Sequence, residues 1–134
     1  MFNRNEYFDH YFKELLEPEE TYNHYFYVMS FAPLTKYLLF QEAAILANKH
    51  LIVSFTNKRI LICEMDAVSG KLTGTIFPID LNSVKDISIK KGFLKTKVKI
   101  KFSDDSKIMF KPNNFCIGLS NHKNHLIKLT EKYQ

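Results

Sequence analysis

The sequence predicts a mainly β domain, a strongly bent antiparallel sheet capped by a C-terminal helix, and three features predict it. From Lys95 to Lys101 every second residue is lysine, while Leu94, Val98, Ile100 and Phe102 around them are apolar and Thr96 is the one interruption. Alternate side chains of a strand point to opposite faces, so this is a half-buried strand with four ammonium groups about 6.6 Å apart on its wet side. Next, His50 to Thr56 and Arg59 to Met65 are β-branched-rich runs separated only by Asn57-Lys58, where Asn tolerates the positive φ of a tight hairpin. Finally, Phe115, Leu119, His122, Leu126, Leu129 and Tyr133 step by fours and threes and make one helical stripe.

The remaining elements follow in order. From about Glu6 to Leu16, Phe8, Tyr11, Phe12 and Leu15 fall on one helical face among acidic residues, and Pro18 ends that helix, so residues 1–17 form an N-terminal amphipathic segment. Its stripe has three uses open to it: packing on the domain, covering the lysine face by charge attraction, or pairing with another copy. Tyr22 to Val28 favour an extended first strand. Pro33 to Asn48 reads as helix, opened by Pro33 and carried by the Gln41 to Ala47 run. Thr73 to Ile79 and Val84 to Lys90 are further strands, with Ser69-Gly70 and Asp80 to Ser83 as connectors. For the apolar faces to match across the Asp104-Asp105 turn, Phe102 should oppose Ile108 and Ile100 should oppose Phe110. That register sets Lys99 against Lys111. The final helix, 113–133, is expected to be capped by Asn113 or Asn114.

A chain of 134 residues is one domain, 1–134, with a β body over about 20–111 and one core. Its longest apolar runs are far short of the ~18 residues a bilayer span needs. The polar N-terminus lacks the order of a secretory signal, so a cytoplasmic location is expected. Charge is uneven: residues 1–30 carry two basic against six acidic side chains, while residues 85–111 carry nine lysines against three aspartates. The two regions either face one another or meet different partners. Cys63 and Cys116 read as small core residues. His122 and His125 share a helix face but lack a third ligand at metal-binding spacing, so no metal site and no cofactor is expected. Four scattered glycines, Gly70, Gly74, Gly92 and Gly118, leave no phosphate loop, and no activated nucleophile with its base is apparent. The chain reads as a non-enzyme.

The run Phe55-Thr56-Asn57-Lys58-Arg59-Ile60-Leu61-Ile62 resembles the T-N-K-R-hydrophobic hairpin of bacterial pleckstrin-homology-like (PH-like) and GRAM-like domains. Phe77 to Gly92 is similar to the strand, connector and strand-to-glycine segment of the same domains, and Leu16 to Glu20 to the approach to their first strand. The likeness covers about residues 50 to 130. It implies a seven-stranded, partly open antiparallel barrel or sandwich plugged by the C-terminal helix, with the N-terminal helix as an addition. It also implies that Asn57, Lys58 and Arg59 are mainly structural, Arg59 satisfying carbonyls or a carboxylate near the turn. The basic phosphoinositide signature of eukaryotic relatives between the first two strands is reduced here to Lys36 and Lys49.

The expected function is a non-enzymatic binding or scaffolding module. A protein partner or an anionic membrane surface would be held, weakly and with salt sensitivity, by Lys95, Lys97, Lys99, Lys101 and Lys111, the other use open to this row being a solvated edge that resists aggregation. Membrane contact would put the protein against the inner face of the membrane. Nucleic-acid binding is the alternative, weakened by the absence of aromatics on the lysine face, since Phe102 and Phe110 lie on the other side. Homo-oligomerisation through Phe8, Tyr11, Phe12 and Leu15 is the further possibility that the N-terminal stripe offers.

Overall fold

A computed structural model describes residues 3–29, 49–116 and 118–134. Helix α1 (Arg4–Leu15) precedes seven strands: β1 (Asn23–Met29), β2 (His50–Thr56), β3 (Arg59–Met65), β4 (Leu72–Asp80), β5 (Val84–Lys91), β6 (Thr96–Phe102) and β7 (Lys107–Phe110). Helix α2 (Asn121–Tyr133) closes the chain. The helix expected over 33–48 lies outside the described residues. The strands form two antiparallel sheets, ordered β1-β2-β3-β4 and β5-β6-β7, and a single 3-10 turn, Leu81–Ser83, carries the chain from one to the other.

Two cores organise the layers. Phe26, Val53, Phe55 and Ile62 from the first sheet meet Ile89, Ile100, Phe102 and Ile108 from the second, and Leu126 and Leu129 of α2 join them. Helix α2 packs against β1 of one sheet and β5 of the other, which plugs the open side of the sandwich. On the opposite face of the four-stranded sheet, Phe8 and Phe12 of α1 pack on Tyr25, Ile52, Leu61 and Cys63. Coverage of both faces explains why β2 and β3 are buried along most of their length, whereas β6, with water on one side, alternates buried and exposed residues.

Two local expectations are corrected. Across the β6–β7 hairpin Ile100 opposes Ile108 and Val98 opposes Phe110, two residues away from the expected register. The tip is the three-residue loop Ser103-Asp104-Asp105: the Phe102 N–H donates to the Ser106 carbonyl (2.8 Å), and Asp105 takes a left-handed conformation (φ 70°). A shift of two keeps every side chain on its expected face, so the apolar pattern alone could not choose between the registers. The final helix begins at Asn121 rather than near Asn113, because Asn113 and Asn114 are engaged at the start of β6. Asn113 bridges Lys95, and the Asn114 side chain accepts from the Thr96 hydroxyl (2.8 Å). Phe115 therefore falls off the stripe and is exposed, while Leu119, His122, Leu126 and Leu129 are buried.

Candidate binding face

The outer side of the three-stranded sheet carries the lysines. Lys97 stands opposite Lys90, Lys99 is flanked by Ser88 and Met109, and Lys101 is flanked by Asp86 and Lys107. Lys95, Lys97 and Lys111 are exposed, and Lys99 and Lys101 are half-buried. Charge is graded along this sheet. At the β6–β7 turn Asp105 meets Lys85 (3.3 Å) and Lys101 (3.8 Å). At the other end, Lys90, Lys91, Lys95, Lys97 and Lys111 have no ion pair among the described residues.

The β2–β3 hairpin is a clasp on the segment that leads into β1. The Arg59 guanidinium donates from Nε to Glu20 Oε2 (3.1 Å) and from Nη2 to Glu20 Oε1 (3.1 Å), and also to the Leu15 carbonyl. Glu17 approaches Nε at 3.2 Å. The Thr56 hydroxyl donates to Glu20 and accepts the Lys58 and Arg59 amides (3.1 and 3.0 Å). Burial works to raise the Glu20 carboxyl, yet hydrogen bonds from Arg59, the Glu17 amide and Thr56, with the Arg59 charge, hold it below its ordinary value. Asn57 works differently from the sequence expectation. Its φ is not positive. Instead its side chain accepts the Thr21 N–H (2.8 Å) and donates to the Glu19 carbonyl (2.9 Å), and it is Glu19 that turns left-handed (φ 74°). Lys58 completes the grip on the Pro18 carbonyl (2.9 Å) and Glu19 (3.4 Å). A cleft of about 680 Å³ opens beside the clasp, lined by Glu17, Lys58, Arg59 and Asp80. Both of its cations are already committed to carboxylates.

The N-terminal stripe is used within the chain. Phe8 and Phe12 are fully buried on the four-stranded sheet, Phe12 stacking on Tyr25 (5.4 Å between centroids), and Tyr11 and Leu15 pack at the margin of that core. The helix lies two layers away from the lysines and does not cover them.

The histidines of α2 have a role that sequence spacing did not disclose. Among the described residues strand β1 is an edge, and its Tyr25 and Tyr27 amides donate to Nδ1 of His125 (3.2 Å) and Nδ1 of His122 (2.9 Å). His122 Nε2 donates in turn to the Asn113 carbonyl (2.6 Å). Residues at i and i+3 on a helix thus stand in for a neighbouring strand, which satisfies and blunts the edge. Burial pushes both rings below the ordinary histidine range. Burial also pushes the Cys63 thiol up to about 12 and raises Cys116, so neither is an activated nucleophile. Among the described residues no cluster of His, Cys, Asp or Glu could hold a metal, and no helix is long and apolar enough to cross a membrane.

Comparison with known proteins agrees with this geometry. A search of curated proteins returned no match. Among solved structures the chain is similar to the hSac2 domain from human phosphoinositide phosphatase Sac2. The TM-score is 0.50 and the identity 13%, over 95% of this chain and 76% of that one. At that identity the likeness speaks for the fold alone. The family described as Bacterial PH domain matches residues 16–128, from the clasped segment to α2. Domains of this kind are generally non-catalytic binding modules. With two antiparallel sheets, a C-terminal helical plug and that match over most of its length, the chain belongs to the bacterial PH domain family.

Proposed function

We propose that this domain is a non-enzymatic binding module whose outer three-stranded face, at its lysine end, holds an anionic membrane surface. One observation carries the reading: Lys90, Lys95, Lys97 and Lys111 gather on this face without a described counter-ion, while Lys85 and Lys101 at the other end of the sheet share Asp105. Folding does not ask for this arrangement, because Lys90 directly opposes Lys97, a mildly unfavourable pair. A lysine near an anionic membrane contributes about 1 kcal/mol, so this group supports weak, salt-sensitive recruitment to an anionic leaflet. The sheet face itself offers nucleic acid no stacking platform, since Phe102 and Phe110 are buried in the core.

Co-sedimentation with vesicles tests it. Vesicles of phosphatidylcholine mixed with phosphatidylserine should retain the protein, pure phosphatidylcholine should not, and added salt should release it. Lys95→Gln with Lys97→Gln should weaken retention by roughly fivefold per lysine. Lys85→Gln, whose charge is already met by Asp105, should stay close to the parent. Equal, salt-independent retention on both vesicles would remove the membrane reading and leave an acidic protein partner as the candidate for the same charges.

A further inference from the structure

We propose that the β5–β6 hairpin tip, Phe93-Leu94, is a wedge that enters the interfacial layer of an anionic bilayer, with Phe115 beside it. The inference rests on the membrane reading above and adds a site to it. Large apolar side chains are exposed at five described positions, and three of them gather here: Phe93 at 95%, Leu94 at 67% and Phe115 at 63%. The tip is bracketed by Lys90, Lys91, Lys95 and Lys97, and no acidic residue occurs between Asp86 and Asp104. Apolar side chains framed by cations are the chemistry that places a segment at a membrane interface, because the rings and aliphatic groups leave water while the ammonium groups meet lipid phosphates.

Folding gives no reason for these residues. Gly92 donates its N–H to the Lys95 carbonyl (2.8 Å), which leaves Phe93 and Leu94 as a two-residue loop. Two-residue hairpins favour Asn-Gly or Gly-containing pairs with positive φ, yet neither Phe93 nor Leu94 takes one. Gly92 is the residue the turn needs: a Cβ there would stand 2.7 Å from the Lys95 carbonyl oxygen. The tip is also held out rather than left to collapse. The Asn114 amide donates to the Leu94 carbonyl (2.9 Å), and the Asn114 side chain donates to the carbonyls of Gly92 (3.0 Å) and Phe93 (3.2 Å). Phe115 follows directly on that clamp. A rigid backbone therefore presents three apolar side chains at the end of the sheet where lysine charge is unopposed. A nucleic acid would find a use for the phenylalanine rings but none for Leu94, whereas a bilayer interface accommodates all three.

The chain contains no tryptophan, so Phe93→Trp supplies a single indole reporter at the tip. On vesicles of phosphatidylcholine with phosphatidylserine its emission should move to shorter wavelength and be quenched by lipids brominated in the acyl chain. Phe93→Ser with Leu94→Ser should keep the parent's melting temperature and bind the same vesicles roughly tenfold more weakly or worse, the scale expected for leaving two such side chains in water. If the parent binds these vesicles while the indole neither shifts nor is quenched and the double serine variant keeps its affinity, the wedge is overturned and the lysine reading stands. If the parent ignores anionic vesicles altogether, both readings fall together. An indole shift with polyglutamate or an oligonucleotide, and none with vesicles, would overturn the wedge in favour of that partner.

Discussion

Arg59 shows how far single residues could be read. The T-N-K-R resemblance implied that Arg59 meets carbonyls or a carboxylate near the turn, and the structure supplies both, the Leu15 carbonyl and Glu20. Which carboxylate it meets was not legible, because residues 20 and 59 come together only when the first strand docks on the hairpin. Asn57 was legible as a turn residue but not as a clamp, since its side chain serves a segment nearly forty positions earlier. The Glu20 side chain is fully buried, so removing it leaves the largely buried Arg59 guanidinium with only the half-exposed Glu17 as counter-charge. Glu20→Ala should cost about 3 kcal/mol in urea unfolding. Arg59→Lys should recover little of the clasp, because an ammonium cannot reproduce the two-pronged contact with Glu20 and the Leu15 carbonyl together. A loss within the scatter expected of an exposed substitution would mean the clasp is incidental to stability.

At the scale of elements, the existence of those among the described residues was legible, and so was the buried face of β6, while the β6–β7 register and the start of α2 were not. Alternation in β6 fixes only parity, and the left-handed Asp105 in a three-residue loop then chose a pairing two residues away. The start of α2 moved because Asn113 and Asn114, which look like caps, had a stronger claim on them, from Lys95 for Asn113 and from the Leu94 carbonyl and the Thr96 hydroxyl for Asn114. The docking of α2 on β1 carries its own test. His24, His122 and His125 are all depressed by burial, His24 to about 4 with His125, Lys128 and Lys132 adding to the effect. A histidine whose folded value lies below its unfolded 6.5 takes up its proton in the unfolded chain first. Its contribution to stability is therefore complete above 6.5 and declines as pH falls from there towards the folded value. Urea midpoints should drop between neutral pH and about pH 5, before most carboxylates titrate. His24→Gln should flatten part of that slope. A midpoint unchanged across this interval would show that these rings titrate alike in the folded and unfolded chain.

For the whole molecule, layer order decides how the two charged regions relate. The acidic N-terminal region and the lysine-rich C-terminal half are complementary in sequence, which left open whether the helix shields the sheet. In the fold α1 sits on the outer face of the four-stranded sheet, the main core follows, and the lysines lie on the far side of the second sheet. Each layer adds about 10 Å. The separation thus exceeds the Debye length of ~8 Å at physiological salt, so α1 carboxylates exert little pull on the lysine end. What opposes the lysines locally sits at the turn end of the sheet, where Asp105 ion-pairs with Lys85 and Lys101 and Asp86 stands opposite Lys101. Neutralising the exposed Glu6 and Glu14 by Glu6→Gln and Glu14→Gln should therefore leave retention on phosphatidylserine vesicles within about twofold of the parent at physiological salt. Asp105→Asn, which removes the carboxylate that ion-pairs with Lys85 and Lys101, should strengthen retention and steepen its salt dependence. Should the α1 variant gain several-fold while Asp105→Asn gains nothing, the acidic helix would have to leave its core and swing across to the lysine face. That would require Phe8 and Phe12 to abandon a buried site, at a cost of about 3–5 kcal/mol for each ring if truncation is the guide.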